Sequence, residues 1–142
     1  MQIEELFPIL VVGSTHENEE EIMMPVYERL KAEYPDLVMI IAPRHLDRIN
    51  DLQNLYEKAG ISTVRRGELK NKKRNASVIF LDTIGELFSV YSLADLVFIG
   101  GTFAEIGGHN ILEPAAYGKV IFVGPYMFNF KAILKAFLAQ DA

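Results

Sequence analysis

The sequence predicts an α/β fold, a Rossmann-like parallel sheet with helices on both faces. Three observations carry that reading. Six short apolar runs are separated by stretches of helical pattern. The runs are near-continuous Val, Ile and Leu, as strands buried on both faces require. Glycines and polar residues gather directly after the runs, at the strand ends where open parallel sheets bind ligands. At 142 residues, one domain with a real core is expected.

The elements follow in order. Residues 9–12 read as the first strand. Residues 18–34 read as a helix, with Ile22, Val26, Leu30 and Tyr34 recurring every four positions. Residues 38–42 form the second strand. Residues 46–59 form a helix, with Gly60 placed as its C′ glycine. A weaker third strand spans 61–65 and a fourth spans 78–81. A short helix covers 84–93 and the fifth strand 96–99. A helix begins near Asn110 and runs to Tyr117. The sixth strand covers 120–123, and a last helix covers 128–138.

Composition excludes several classes. A net charge of −5 argues against nucleic acid as a partner, since phosphate backbones call for a basic face. With no Cys, disulfides and thiolate metal sites are excluded. Three scattered His give no recognised metal spacing, so no metal is expected. No apolar run approaches the roughly 18–20 residues that span a bilayer. Glu4 and Glu5 replace the basic start of a signal peptide, so the chain itself is expected to be soluble. Residues 65–75 hold Arg65, Arg66, Lys70, Lys72, Lys73 and Arg74 against Glu68. They read first as a solvated, mobile loop and second as a basic patch for anionic lipid or a phosphorylated acceptor.

The chemistry is concentrated at the strand ends. After the first strand comes Gly13-Ser14-Thr15-His16-Glu17. Ser14 and Glu17 have capping-box spacing, or the turn leaves room for a ligand. His16 reads as structural or exposed, with hydrogen-bond donation to a ligand as the alternative. After the second comes Pro43-Arg44-His45. Pro43 stops the strand, and Arg44 suits either phosphate or carboxylate binding or a surface pair with Asp47 or Asp51. His45 is a second donor or simply exposed. After the fourth, Asp82 or Thr83 can cap a helix. Gly85 in a first turn makes sense if something packs on its bare backbone, and Glu86 suits the helix dipole. After the fifth comes the richest stretch, from Gly100-Gly101-Thr102 through Gly107-Gly108-His109-Asn110-Ile111-Leu112-Glu113-Pro114. Its glycines allow close backbone approach, and a helix start there offers N–H groups to a phosphate. Glu113 reads as a ligand for ribose hydroxyls, a catalytic base, or a dipole-favoured acid. After the sixth, Gly124-Pro125 turns the chain, and Asn129 reads first as a cap for the last helix and second as a ligand contact.

Together these motifs resemble the C-terminal half of the 3-deoxy-D-manno-oct-2-ulosonic acid (Kdo) transferases, in the family's order and over nearly the whole chain. The resemblance implies the C-terminal domain of a GT-B type glycosyltransferase, one with two facing Rossmann-like domains. It implies that residues 1–142 form the nucleotide-sugar donor domain, without the N-terminal acceptor domain and most closing helices. The donor implied is CMP-Kdo, used without a metal or other cofactor. Arg44, following Pro43, would meet the phosphate. Gly85 and Glu86 would lie by the nucleotide, Asn110 and Glu113 would hold phosphate and ribose, and Ser14 and Thr15 would line the cleft. The acceptor implied is a lipid A precursor in lipopolysaccharide biosynthesis, held by the N-terminal domain with the catalytic base. The full-length enzyme would work at the cytoplasmic face of the inner membrane, with peripheral contact to it. No catalytic residue is assigned in this chain. Two rival readings stand: a UDP-sugar epimerase-like domain and a non-catalytic α/β interaction module.

Overall fold

A computed structural model describes residues 8–70 and 76–140. Six strands form one parallel sheet in the order β3-β4-β2-β1-β5-β6. They are β1 (Ile9–Thr15), β2 (Val38–Pro43), β3 (Thr63–Arg65), β4 (Val78–Phe80), β5 (Leu96–Ile99) and β6 (Val120–Val123). The helices are α1 (Glu19–Glu33), α2 (Ile49–Lys58), α3 (Leu87–Tyr91), α4 (Leu112–Ala115) and α5 (Lys131–Ala139).

The central strands are buried on both sides, which explains their unbroken apolar runs. Val11, Val12 and all of Val38–Ile41 are buried. One face packs Leu10, Val12, Met39, Ile41 and Phe80 against Met23 and Tyr27 of α1 and Leu52 and Tyr56 of α2. The other packs Val11, Ile40, Ile79, Val97 and Ile99 against Val90 and Tyr91 of α3, with Ile133, Leu134 and Phe137 of α5 outside them. Helices on both faces are thus present, as expected.

Gly60 ends α2 as expected. Its φ is +81°. The Gly60 N–H donates to the Glu57 carbonyl and the Ile61 N–H to the Tyr56 carbonyl, each at 3.0 Å. Those two bonds are the Schellman pattern.

Several expectations are corrected. The buried side of α1 is Glu19, Glu20, Met23 and Tyr27, while Ile22, Val26 and Tyr34 are exposed. Two buried acids set the helix rotation. Glu20 makes a bidentate ion pair with Arg48 at 2.9 Å, and Glu19 is held as described below. Helix α3 starts at Leu87, because Gly85 has φ +84° and cannot be helical. Helix α4 starts at Leu112 rather than Asn110 and ends at Ala115. Strand β6 is partly buried on one face only, through Ile121 and Val123, while Val120 and Phe122 are 56% and 54% exposed at the sheet edge. The basic segment is ordered at its start. Arg65 ends β3 and donates to Gln53 Oε1 at 2.7 Å, and Arg66 lies 3.4 Å from Glu86. Lys72, Lys73 and Arg74, like residues 1–7, lie outside the described residues.

Candidate functional site

The strand order reverses between β1 and β5, so the loops leaving those two strands diverge over the carboxyl end of the sheet. Strand β1 ends in a bulge. Its register with β2 shifts between Gly13 and Thr15, and the intervening Ser14 has φ +55°. A left-handed serine is uncommon and is held here by its surroundings. Close packing of β5 supplies that hold: a Cβ on Gly100 would collide with the Ser14 carbonyl and Thr15 Cα. Thr15 is completely buried, so its side chain is covered rather than lining an open cleft, and its carbonyl accepts the Arg44 N–H at 2.9 Å.

The Ser14–Glu17 capping box does not form. The N-cap of α1 is Asn18, and the carboxylate that reaches back belongs to Glu19. Glu19 is 1% exposed. Its Oε1 accepts from the N–H of His16 at 2.8 Å and of Gly101 at 2.7 Å. Its Oε2 accepts from the N–H of Thr102 at 3.1 Å and of Phe103 at 3.0 Å. The glycine-rich turn therefore does form a nest of amides, as its sequence implies. An internal carboxylate fills that nest.

All three histidines meet above this nest. His16 Nε2 and His109 Nε2 are 2.7 Å apart, and their rings are parallel with centroids 5.0 Å apart. The His45 ring stands edge-on to His16 at 5.8 Å. Burial, and then the cations nearby, hold both imidazoles of the close pair below the ordinary histidine range. For His109, burial acts first, then its neighbours His16 and Arg44, opposed by Glu19. For His16, Glu19 opposes burial most strongly, while His45, Arg44 and Arg48 reinforce it. Arg44 is exposed at the end of β2. The two ion pairs among the described residues are Arg48–Glu20 and Arg66–Glu86, so the expected alternative of an Asp47 or Asp51 partner is not realised. Pro43 is the last, buried residue of β2.

At the end of β4, Asp82 Oδ1 accepts the Gly67 N–H at 2.9 Å instead of capping a helix. Gly85 has a positive φ, and within this chain a Cβ there meets nothing within 4 Å, so the left-handed backbone is what calls for glycine among the chain's own contacts. The Thr83 side chain, and then Arg66, hold the Glu86 carboxyl below the ordinary range. After β5, Asn110 Oδ1 accepts the Leu112 N–H at 2.9 Å, and Glu113 follows in the first turn of α4. Gly107 and Gly108, with φ +97° and +88°, leave room for Phe128, Asn129 and Met127. Asn129 caps nothing. It donates to the Ile106 carbonyl at 3.0 Å and pins this loop. Among the described residues no three His, Cys, Asp or Glu side chains are arranged to hold a metal ion.

No family model matches the chain. It is similar to the 3-deoxy-D-manno-octulosonic acid transferase of Haemophilus influenzae, 37% identical over 128 residues, covering 90% of this chain and 30% of the relative. A bifunctional glycosyltransferase/methyltransferase of Fusobacterium nucleatum is 39% identical over 134 residues, 93% of this chain and 20% of that protein. Among solved structures, the C-terminal CMP-Kdo binding domain of WaaA from Acinetobacter baumannii superposes with a TM-score of 0.87 at 32% identity. The match covers 95% of this chain and 70% of that one. The chain belongs to the family of Kdo transferases. It corresponds to their C-terminal domain, and it spans 30% of the length of the Haemophilus influenzae transferase. Kdo transferases are glycosyltransferases, and the Rossmann-like, GT-B type domain expected from the sequence is the one found.

In this Kdo transferase domain the expected site residues share one end of the sheet. Gly85 and Glu86 follow β4, Arg44 follows β2, Ser14 lies on β1, and Asn110 and Glu113 follow β5. Glu19 escaped the sequence reading because it sits in a run of acids, Glu19-Glu20-Glu21, that looks like an ordinary helix start. The three histidines were each legible singly. Only the parallel topology, with every histidine in a loop leaving a strand's carboxyl end, signals that they converge.

Proposed function

We propose that the chain is the donor-binding half of a glycosyltransferase that transfers Kdo from CMP-Kdo to a lipid A precursor in lipopolysaccharide biosynthesis. The observation that carries this reading is the exposed Arg44 at the end of β2, beside the β1 and β5 loops, in a domain superposing on a CMP-Kdo binding domain. Arg44 offers a planar fork of donors to the CMP phosphate. Asn110 and Glu113 supply polar groups for phosphate and ribose, and Gly85 and Glu86 border the nucleotide. Ser14 faces the opposing domain. Pro43 sets the direction from which Arg44 leaves the sheet.

The reaction in this reading uses no metal. Arg44 offsets charge developing on the departing CMP, a task that fixed cationic donors perform in water-poor sites. The catalytic base and the acceptor belong to the other domain of the full-length enzyme. That enzyme works at the cytoplasmic face of the inner membrane. No helix among the described residues is long and apolar enough to cross a membrane.

Calorimetric titration of the chain with CMP, UMP and UDP tests the proposal. CMP should bind tightest, and Arg44→Ala and Glu113→Ala should each weaken it by about tenfold or more, the loss of one charged hydrogen bond. Preference for UDP would favour an epimerase-like domain, and no nucleotide binding would overturn the donor assignment.

A further inference from the structure

Three imidazoles and a guanidinium converge over the β1–β5 switch point, and their arrangement goes beyond what binding a nucleotide phosphate asks. The amides of Gly101, Thr102 and Phe103, the natural anion donors of this loop, are already occupied by Glu19. Those three amides are therefore not open to a ligand, and the side chains beside them are the donors this loop presents. His16 and His109 touch through Nε2 at 2.7 Å, and such a contact needs one ring to donate and the other to accept. At most one proton lies between them. Arg44 acts on both rings, and Arg48, itself paired with Glu20, acts on His16. Glu19 is the acid acting on both rings, and its oxygens already accept four N–H groups. An anion placed against the pair is drawn by Arg44, which makes no ion pair among the described residues, and by the N–H groups the two rings can offer.

Resting on the donor reading above, we propose that His16 and His109, with His45 beside them, receive the carboxylate of the donor's sugar acid, while Arg44 takes its phosphate. Kdo is an octulosonic acid, so its CMP ester carries two anions and needs two sets of donors. The histidine pair makes the second set. A carboxylate bridging the two rings replaces their mutual hydrogen bond with two charge-assisted ones and favours uptake of a proton. Burial first, and Arg44 after it, hold both rings below the ordinary histidine range, which favours their neutral form and leaves a proton to be taken up when an anion binds. The cluster then discriminates a sugar acid from a neutral sugar on the same nucleotide.

The test compares CMP with CMP-Kdo on the chain and on His16→Gln and His109→Gln. In the wild-type chain CMP-Kdo should bind at least about tenfold tighter than CMP, and the ratio should fall toward one in both variants. Calorimetry in buffers of different ionisation enthalpy should show net proton uptake with CMP-Kdo beyond that with CMP. Ring nitrogen NMR of the wild-type chain needs no variant to fold: His16 and His109 should shift more with CMP-Kdo than with CMP. A wild-type ratio near one, a ratio kept in both variants, or equal ring shifts with CMP alone would overturn the carboxylate assignment and leave the donor reading intact. Binding of neither ligand by the wild-type chain would overturn both.

Discussion

Glu19 shows how one side chain organises a site without being offered to a ligand. Its two oxygens collect four N–H groups from two loops that the sheet brings together across more than 80 residues of sequence. Replacing it with Ala leaves those buried donors without partners. Glu19→Ala should therefore cost about 3 kcal/mol or more of stability in urea unfolding. Glu19→Gln should recover only part of the loss, because its NH₂ group would face two of the four donors. Sequence reading weighs Glu17 at this turn, by its spacing from Ser14, and passes over Glu19. The spacing rule assumes that the helix begins where the polar residues begin. Here the β1 bulge at Ser14 and the left-handed Asn18 delay it.

Element ends were legible where a local rule decides them. Gly60 closes α2 because only a residue free of a Cβ penalty takes φ +81° readily, and the two capping bonds follow from that turn. A Cβ there meets nothing, so Gly60→Ala isolates the backbone cost. It should lower stability by about 1 kcal/mol, read as a shifted urea midpoint with an unchanged slope. The starts of α3 and α4 were less legible. Gly85 and Asn110 belong to the turns before these helices, and helix pattern alone does not distinguish a turn residue from a first helical one. The rotation of α1 is not legible from its apolar spacing. Its apolar stripe of Ile22, Val26 and Tyr34 is exposed, while the sheet-facing side carries two acids whose partners lie on other elements.

Across the whole molecule, burial grades from the centre of the sheet to its β6 edge. Ile99 on β5 is fully buried, while Val120, on the neighbouring edge strand, is 56% exposed. Ile99→Ala should cost about 2–4 kcal/mol and Val120→Ala under about 1 kcal/mol, each measured by chemical unfolding. A sheet buried uniformly on both faces, as its apolar runs suggest, would give costs of similar size. The sequence by itself determined the six strands, their parallel pairing and the gathering of functional residues after them. These depend on local runs, turn residues and the rule that ligands bind beyond strand ends. Only the tertiary structure decided that the glycine-rich turn is filled by Glu19 and that His16, His45 and His109 form one cluster. Both depend on contacts between loops far apart in sequence, which strand order and register create.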